Sequence, residues 1–390
     1  MTTTQQQTID FDLTPDRRGG DSYKWNRYAS PTYDVIGAWV ADMDFKAPGA
    51  VRDAVRQRLD HDALGYSEPT TELVQVIVER LQRRYNWRVN PTWFVVLPGV
   101  VPGLFGAARA VGKPGSAVIT QSPNYHHFFG AAEYSQRELF RLDNKLSNGR
   151  WEMDFDQLGQ LAGLGASSFL LCNPHNPVGR ILSQAELEAV AEICLRNDIM
   201  ICSDEIHADL LLDTDKPHIP IASLSPEIEQ NSITLASPSK AFNMPGIGGF
   251  ALAIIPNQEL RSAFEAQMHG MAVYPGALAY SAALAAYRDC DDWLTQLLQY
   301  LKCNRDYLEK EIATIDGLSM THVEATFLAW INVSELKLDN AFEHFLAHGV
   351  ALADGAAMGD ENYQRLNFGC TRATLEQILE RVRRAVAALS

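Results

Sequence analysis

Between residues 93 and 255 one pattern recurs: an apolar run of four to seven residues, then a longer stretch with helical spacing, then another short run. Strands separated by helices are joined by crossovers, so they lie side by side in a mostly parallel sheet with helices on its faces. The runs at 93–97, 116–121, 168–172, 199–202, 232–236 and 249–255 predict six such strands. Between the third and fourth, Ser183 and Glu186 form a capping box, and Leu187, Val190, Ala191, Cys194 and Leu195 recur at helical intervals. The fold class is therefore α/β.

A long helix is predicted over 291–313, after which the pattern changes to a strand at 327–333, a helix at 340–348 and a strand at 363–369. A last helix begins near Leu375, with Thr374 and Gln377 as its cap. The expected organisation is an N-terminal segment (1–50) that packs with a small C-terminal α+β domain (291–390), and a large domain (51–290) between them. A chain of 390 residues is long enough for that division.

Lys+Arg 33 against Asp+Glu 48 gives a net charge of −15, which argues against nucleic acid or an anionic membrane as partner. The six cysteines show neither CxxC nor zinc-type spacing, as expected for reduced, buried thiols. The start, MTTTQQQTIDFD, has no basic and apolar leader, and the apolar stretch over 94–112 is broken by Pro98, Gly99, Pro102 and Gly103. A cytoplasmic protein without membrane spans is the expectation.

In open α/β sheets ligands sit beyond the carboxyl ends of the strands. Three successive strand ends carry chemistry: Asn176 in Asn-Pro-His-Asn-Pro, Asp204 in Ser-Asp-Glu-Ile-His, and Lys240 in Ser-Pro-Ser-Lys. Each has a plain structural explanation on its own: an Asx-Pro turn, a helix cap and a solvated side chain. Their order suits pyridoxal phosphate. That cofactor needs a lysine for its aldehyde, an acid for its ring nitrogen, a donor for its phenolate oxygen and a cradle for its phosphate. Lys240, Asp204 and Asn176 fill the first three roles. Ser237, Ser239 and the turn that opens a helix at Val100 and Val101 fill the fourth. Tyr125 is the expected stacking ring. His126, His127, His207 and His218 form no compact ligand set, so no metal is expected.

These motifs, with Ser22-Tyr-Lys-Trp-Asn-Arg-Tyr28, Trp39-Val-Ala-Asp-Met-Asp-Phe45, Leu64-Gly-Tyr66 and Arg365-Leu-Asn-Phe-Gly-Cys370, resemble fold-type I pyridoxal phosphate enzymes of the class I/II aminotransferase superfamily. The narrower resemblance is to its MalY/PatB-type C–S β-lyase branch, and it covers nearly the whole chain. It implies that Lys240 holds the cofactor and that Lys240, Asp204 and Tyr66 are the catalytic residues. It implies that His207 lies with Asn176 near the phenolate oxygen, and that Tyr66 reaches the phosphate site of a second subunit in a homodimer. Arg365 would take the α-carboxylate of a small amino-acid substrate, with Ala41 beside it. The implied reaction cleaves cystathionine or another S-substituted cysteine to a thiol, pyruvate and ammonia. An aminotransferase, and a regulatory binding protein with secondary cofactor chemistry, are the alternatives. Gly248 stands where typical aminotransferases carry an arginine, which agrees with the lyase branch, while His126-His127 in place of an aromatic-proline pair and the 355–364 lead-in to Arg365 depart from the pattern of that branch.

Overall fold

The computed structural model describes residues 8–61, 63, 65–247, 249–271 and 274–389. Gly248 and Leu64 lie outside the described residues. A seven-stranded sheet forms from Phe94–Leu97 (β1), Ala117–Ser122 (β2), Glu138–Asp143 (β3), Ala166–Cys172 (β4), Met200–Asp204 (β5), Ser232–Ala236 (β6) and Ala251–Ile254 (β7), in the order β1-β7-β6-β5-β4-β2-β3. All neighbours run parallel except β7, which is antiparallel to both β1 and β6. Two reversals cancel, so β1 points the same way as β4, β5 and β6. Its carboxyl end, and the helix Val100–Ala110 that follows, open at the same edge of the sheet.

The strands are apolar because both faces are covered. Phe169 and Leu171 of β4 pack with Leu187 and Val190 of the helix Gln184–Arg196, whereas Leu170 and Cys172 face Leu104 and Ala107 of Val100–Ala110. This two-residue alternation carries one strand into two separate cores. The capping box of Gln184–Arg196 is present: Ser183 accepts from the Glu186 amide, and the Glu186 carboxylate accepts from the Ser183 amide at 2.8 Å.

A second sheet, Ser319–Met320 (β8), Leu328–Asn332 (β9), Ala353–Asp354 (β10) and Tyr363–Asn367 (β11), is antiparallel in the order β8-β9-β11-β10. The helices Asp291–Ile312, Ala341–Ala347 and Arg372–Ala387 accompany it. The N-terminal segment joins this part of the chain through a short parallel pair, Ile36 with Val350 and Gly37 with Ala351. Among the described residues no helix is long and apolar enough to cross a membrane.

Several expectations need correction. The last helix starts at Arg372, and its cap is Thr371, whose hydroxyl accepts from the Thr374 amide at 3.1 Å. Thr374 stands inside the first turn with its own hydroxyl 2.9 Å from that of Thr371. The edge strand β3 and the helices Gly49–Leu59 and Thr71–Tyr85 were not anticipated. Trp93 belongs to a short 3-10 turn before β1.

Candidate active site

The carboxyl edge of β1, β4, β5 and β6 meets residues 39–41 and β11 across a cavity of about 710 Å³. Lys240, Asp204, Asn176, His207, Tyr125, Val100, Val101, Ser237, Ser239, Arg365 and Ala41 all line it. Tyr66 does not; it is fully exposed. His126 and His127 also line the cavity, as do Ala357 and Met358 from the 355–364 segment. His218 lies elsewhere, buried with its Nε2 2.8 Å from Glu205 Oε2.

Lys240 Nζ donates to the Ala41 carbonyl at 2.6 Å. Burial, reinforced by the charge of Arg365, lowers its pKa to about 8, and Asp42 and Asp204 oppose that shift. Asp204 is buried at the last position of β5. Burial raises its pKa to about 7, against the donated Ile206 N–H at 3.0 Å, and nearby Glu205 pushes the same way as burial. A buried carboxylate held that high is poised to take a cation or a proton-bearing partner.

Arg365, on β11, is buried and has no carboxylate partner among the described residues. Its Nη1 donates to Asn176 Oδ1 at 2.9 Å and its Nη2 to the Trp39 carbonyl at 2.8 Å, while its Nε is buried without a partner. Burial lowers its pKa to about 10. Because Arg365 occupies the amide oxygen of Asn176, the NH₂ of Asn176 is the group left for a ligand. His207 Nδ1 is likewise buried without a partner, and burial together with Lys240 and Arg365 lowers this imidazole to about 3, so it is neutral. His126 is lowered to about 4 by burial and by its neighbour His127.

Ser237 Oγ donates to the Phe250 carbonyl at 2.6 Å and lies 2.9 Å from Ser239 Oγ. The helix Val100–Ala110 has no side-chain cap at Gly99, which leaves the amides of its first turn facing the cavity. The opposite wall is aromatic: Tyr23 and Tyr28 stand edge-on to Trp39 at 4.8 and 5.3 Å, and Tyr28 meets Phe342 at 5.3 Å. Sequence reasoning did not assign these four. Tyr23, Tyr28 and Trp39 lie within strings already singled out, but Phe342 carries no local signal.

Two orphaned buried nitrogens, an uncapped helix start, a buried carboxyl of raised pKa and a low-pKa lysine suit an aromatic aldehyde bearing a phosphate and a basic ring nitrogen. The residues present fit pyridoxal phosphate. The profile of the aminotransferase class I and II family matches residues 35–382. The chain belongs to that family. It is similar to "Cystathionine beta-lyase PatB" of Bacillus subtilis (strain 168), 36% identical over 390 residues, which span 97% of this chain and all of the relative. Among solved structures it resembles OvoB, at 40% identity and a TM-score of 0.94 over 97% of this chain and all of that one. Cystalysin from Treponema denticola, whose crystal structure contains a pyridoxal 5'-phosphate cofactor, matches at 29% identity with a TM-score of 0.93 over 98% of this chain and all of that one.

Proposed function

We propose that this protein is a pyridoxal phosphate-dependent carbon–sulfur β-lyase acting on cystathionine or another S-substituted cysteine, with thiol, pyruvate and ammonia as products. The observation that carries this reading is the convergence of Lys240, Asp204 and the Asn176–Arg365 pair on one cavity. The relatives named above favour a lyase over an aminotransferase.

When bound, pyridoxal phosphate supplies an electron sink for the charge left at Cα after proton removal. Lys240 would hold its aldehyde carbon, Asp204 its ring nitrogen, and Asn176 with His207 its phenolate oxygen. Val100, Val101, Ser237 and Ser239 would hold the phosphate, and Tyr125 the ring face. Arg365, with the 39–41 backbone, takes the substrate α-carboxylate. An amine with a pKa of about 8 is roughly a tenth neutral at pH 7, far more than an ordinary lysine. Once the substrate's amine has taken its place on the aldehyde carbon, the freed Lys240 amine would be the base that removes the Cα proton and carries it toward the departing sulfur. Asp204 keeps the ring nitrogen's proton in place through that step.

Tyr66, exposed on its own protomer, is assigned to the phosphate site of a partner subunit, which makes the working unit a homodimer. The free cysteines, all but Cys303 buried, accord with a cytoplasmic setting. The deciding experiment incubates the purified protein with a panel of S-substituted cysteines and scores pyruvate plus free thiol separately from keto-acid exchange. Thiol and pyruvate in equal amounts are expected, and Lys240→Ala should abolish both together with the visible absorbance. Dominant keto-acid exchange would make the protein an aminotransferase.

A further inference from the structure

Residues 39–41 line the cavity beside Arg365 of β11, and the backbone carbonyls of residues 39–45 are almost all engaged by side chains. Trp39 O accepts from Arg365 Nη2 and Ala41 O from Lys240 Nζ, both on the cavity side. The two carbonyls that flank Ala41 turn the other way. Val40 O and Asp42 O accept from the same atom, Asn367 Nδ2, at 2.6 and 2.7 Å. The Asp42 amide closes the turn by donating to Val40 O at 3.0 Å.

Asn367 is the last residue of β11, two positions beyond Arg365, and is almost completely buried. All of its polar groups are committed. Its amide N–H donates to Ala38 O at 2.8 Å, and its Oδ1 accepts from the Gly369 amide at 2.8 Å. Both hydrogens of one NH₂ are thus spent on a single turn. An aspartate would set an oxygen against two carbonyls, and an alanine would leave Val40 O with only the Asp42 amide and Asp42 O with only the longer contact from Lys24 Nζ at 3.4 Å.

Beyond residue 42 the segment is fixed independently. Asn243 accepts from the Met43 amide and donates to the carbonyls of Met43 and Phe45, while Asp44 takes Lys24, Trp25 and Arg17. Loss of the Asn367 contacts would therefore loosen the turn at Ala41, and with it the aim of the Trp39 carbonyl, without freeing the whole segment.

The geometry points to Asn367 as a positioning residue for carboxylate recognition. By clamping the turn at Ala41 it aims the Trp39 carbonyl at Arg365, fixing the guanidinium plane so that its remaining donors face the α-carboxylate of an amino acid. This inference rests on the reading of the cavity as an amino-acid site. Asn367 itself touches neither substrate nor cofactor. Its effect passes through the backbone of residues 39–42.

The test uses the cofactor-loaded protein with Asn367→Asp and Asn367→Ser. Two probes are compared, S-methylcysteine and its carboxylate-free counterpart S-methylcysteamine. Affinity is read from the change in the visible cofactor band on mixing, before product forms. Asn367→Asp should weaken S-methylcysteine about tenfold or more and leave S-methylcysteamine within about twofold. Asn367→Ser, which keeps one hydrogen-bonding group, should show the same split at smaller size. Cofactor retention and melting temperature are recorded alongside, and if the aspartate variant fails to fold, the serine variant carries the comparison. Equal weakening of both probes, or no weakening of either, in a variant that retains cofactor would overturn the proposal. A wild-type protein that binds both probes but releases no pyruvate would sink the lyase reading instead, and the probe comparison would still stand.

Discussion

Arg365 Nη1 donates to Asn176 Oδ1 across 2.9 Å, joining the strand β11 to the loop after β4, two segments 189 residues apart in sequence. The contact orients a guanidinium and an amide at once. It commits the amide oxygen, so the Asn176 NH₂ is presented to the cofactor side, and it holds one arm of the fork whose Nε is unpartnered.

Arg365→Lys should raise KM for carboxylated substrates by about 30- to 100-fold, the equivalent of losing about 2–3 kcal/mol of paired, charge-assisted hydrogen bonding. Cofactor affinity should change far less. Steady-state kinetics with a matched carboxylate-free amine as control checks this. Equal losses for both would make Arg365 a structural residue.

Asp204→Asn should keep the cofactor but lose turnover by several orders of magnitude, because an amide cannot hold the ring-nitrogen proton while charge develops at Cα. The cofactor-free protein offers a second readout. A folded pKa of about 7 against about 3.9 unfolded favours folding below pH 4, and that contribution is lost as pH rises through 7. The wild-type protein should therefore fall relative to Asp204→Asn by up to about 4 kcal/mol between pH 4 and pH 8. His207, lowered to about 3, has the opposite dependence but is common to both proteins, so it cancels in the difference. Chemical denaturation across that pH range measures it, and a flat difference would contradict the burial argument.

Tyr66→Phe should weaken cofactor retention if the hydroxyl reaches a partner's phosphate site. Mixed with Lys240→Ala protein under subunit exchange, it should regain roughly a quarter of wild-type activity, because hybrid dimers then carry one site free of either lesion. Proven exchange without recovery would return Tyr66 to its own protomer.

Gly249→Ala should destabilise the protein by about 3 kcal/mol or more. Gly249 has φ +61°, and a Cβ there would overlap the Pro98 carbonyl oxygen, where the entry to β7 passes the end of β1. A melting temperature within about a degree of wild type would show that the backbone there yields.

The fold was legible where burial is two-sided. β4 and β5 read as strands because almost every position is apolar or small, and Ser183 with Glu186 announced a helix start that the structure contains. The edge strand β3, ELFRLD, was not legible, because it is largely uncovered and its charges read as loop. Thr374 with Gln377 fitted a capping box better than Thr371 did, yet backbone geometry at Thr371 decides the cap. For the site, Lys240 and Asp204 stood out because each follows a strand at the same edge. The aromatic wall did not, since Tyr23, Tyr28, Trp39 and Phe342 come from separate segments that only tertiary packing unites. Nor did the turn at Ala41 show, because its hold is a side chain more than three hundred residues away.

A buried guanidinium with no anion of its own does not discriminate by timing. On the proposed reading, the cation that would gather the amino acid before reaction would meet a small monocarboxylate again afterwards, since pyruvate keeps the same carboxyl group. Arg365 would then act on both sides of the turnover. Pyruvate is therefore expected to compete for the vacated fork as it accumulates, and the clearance of that product would then bear on the rate.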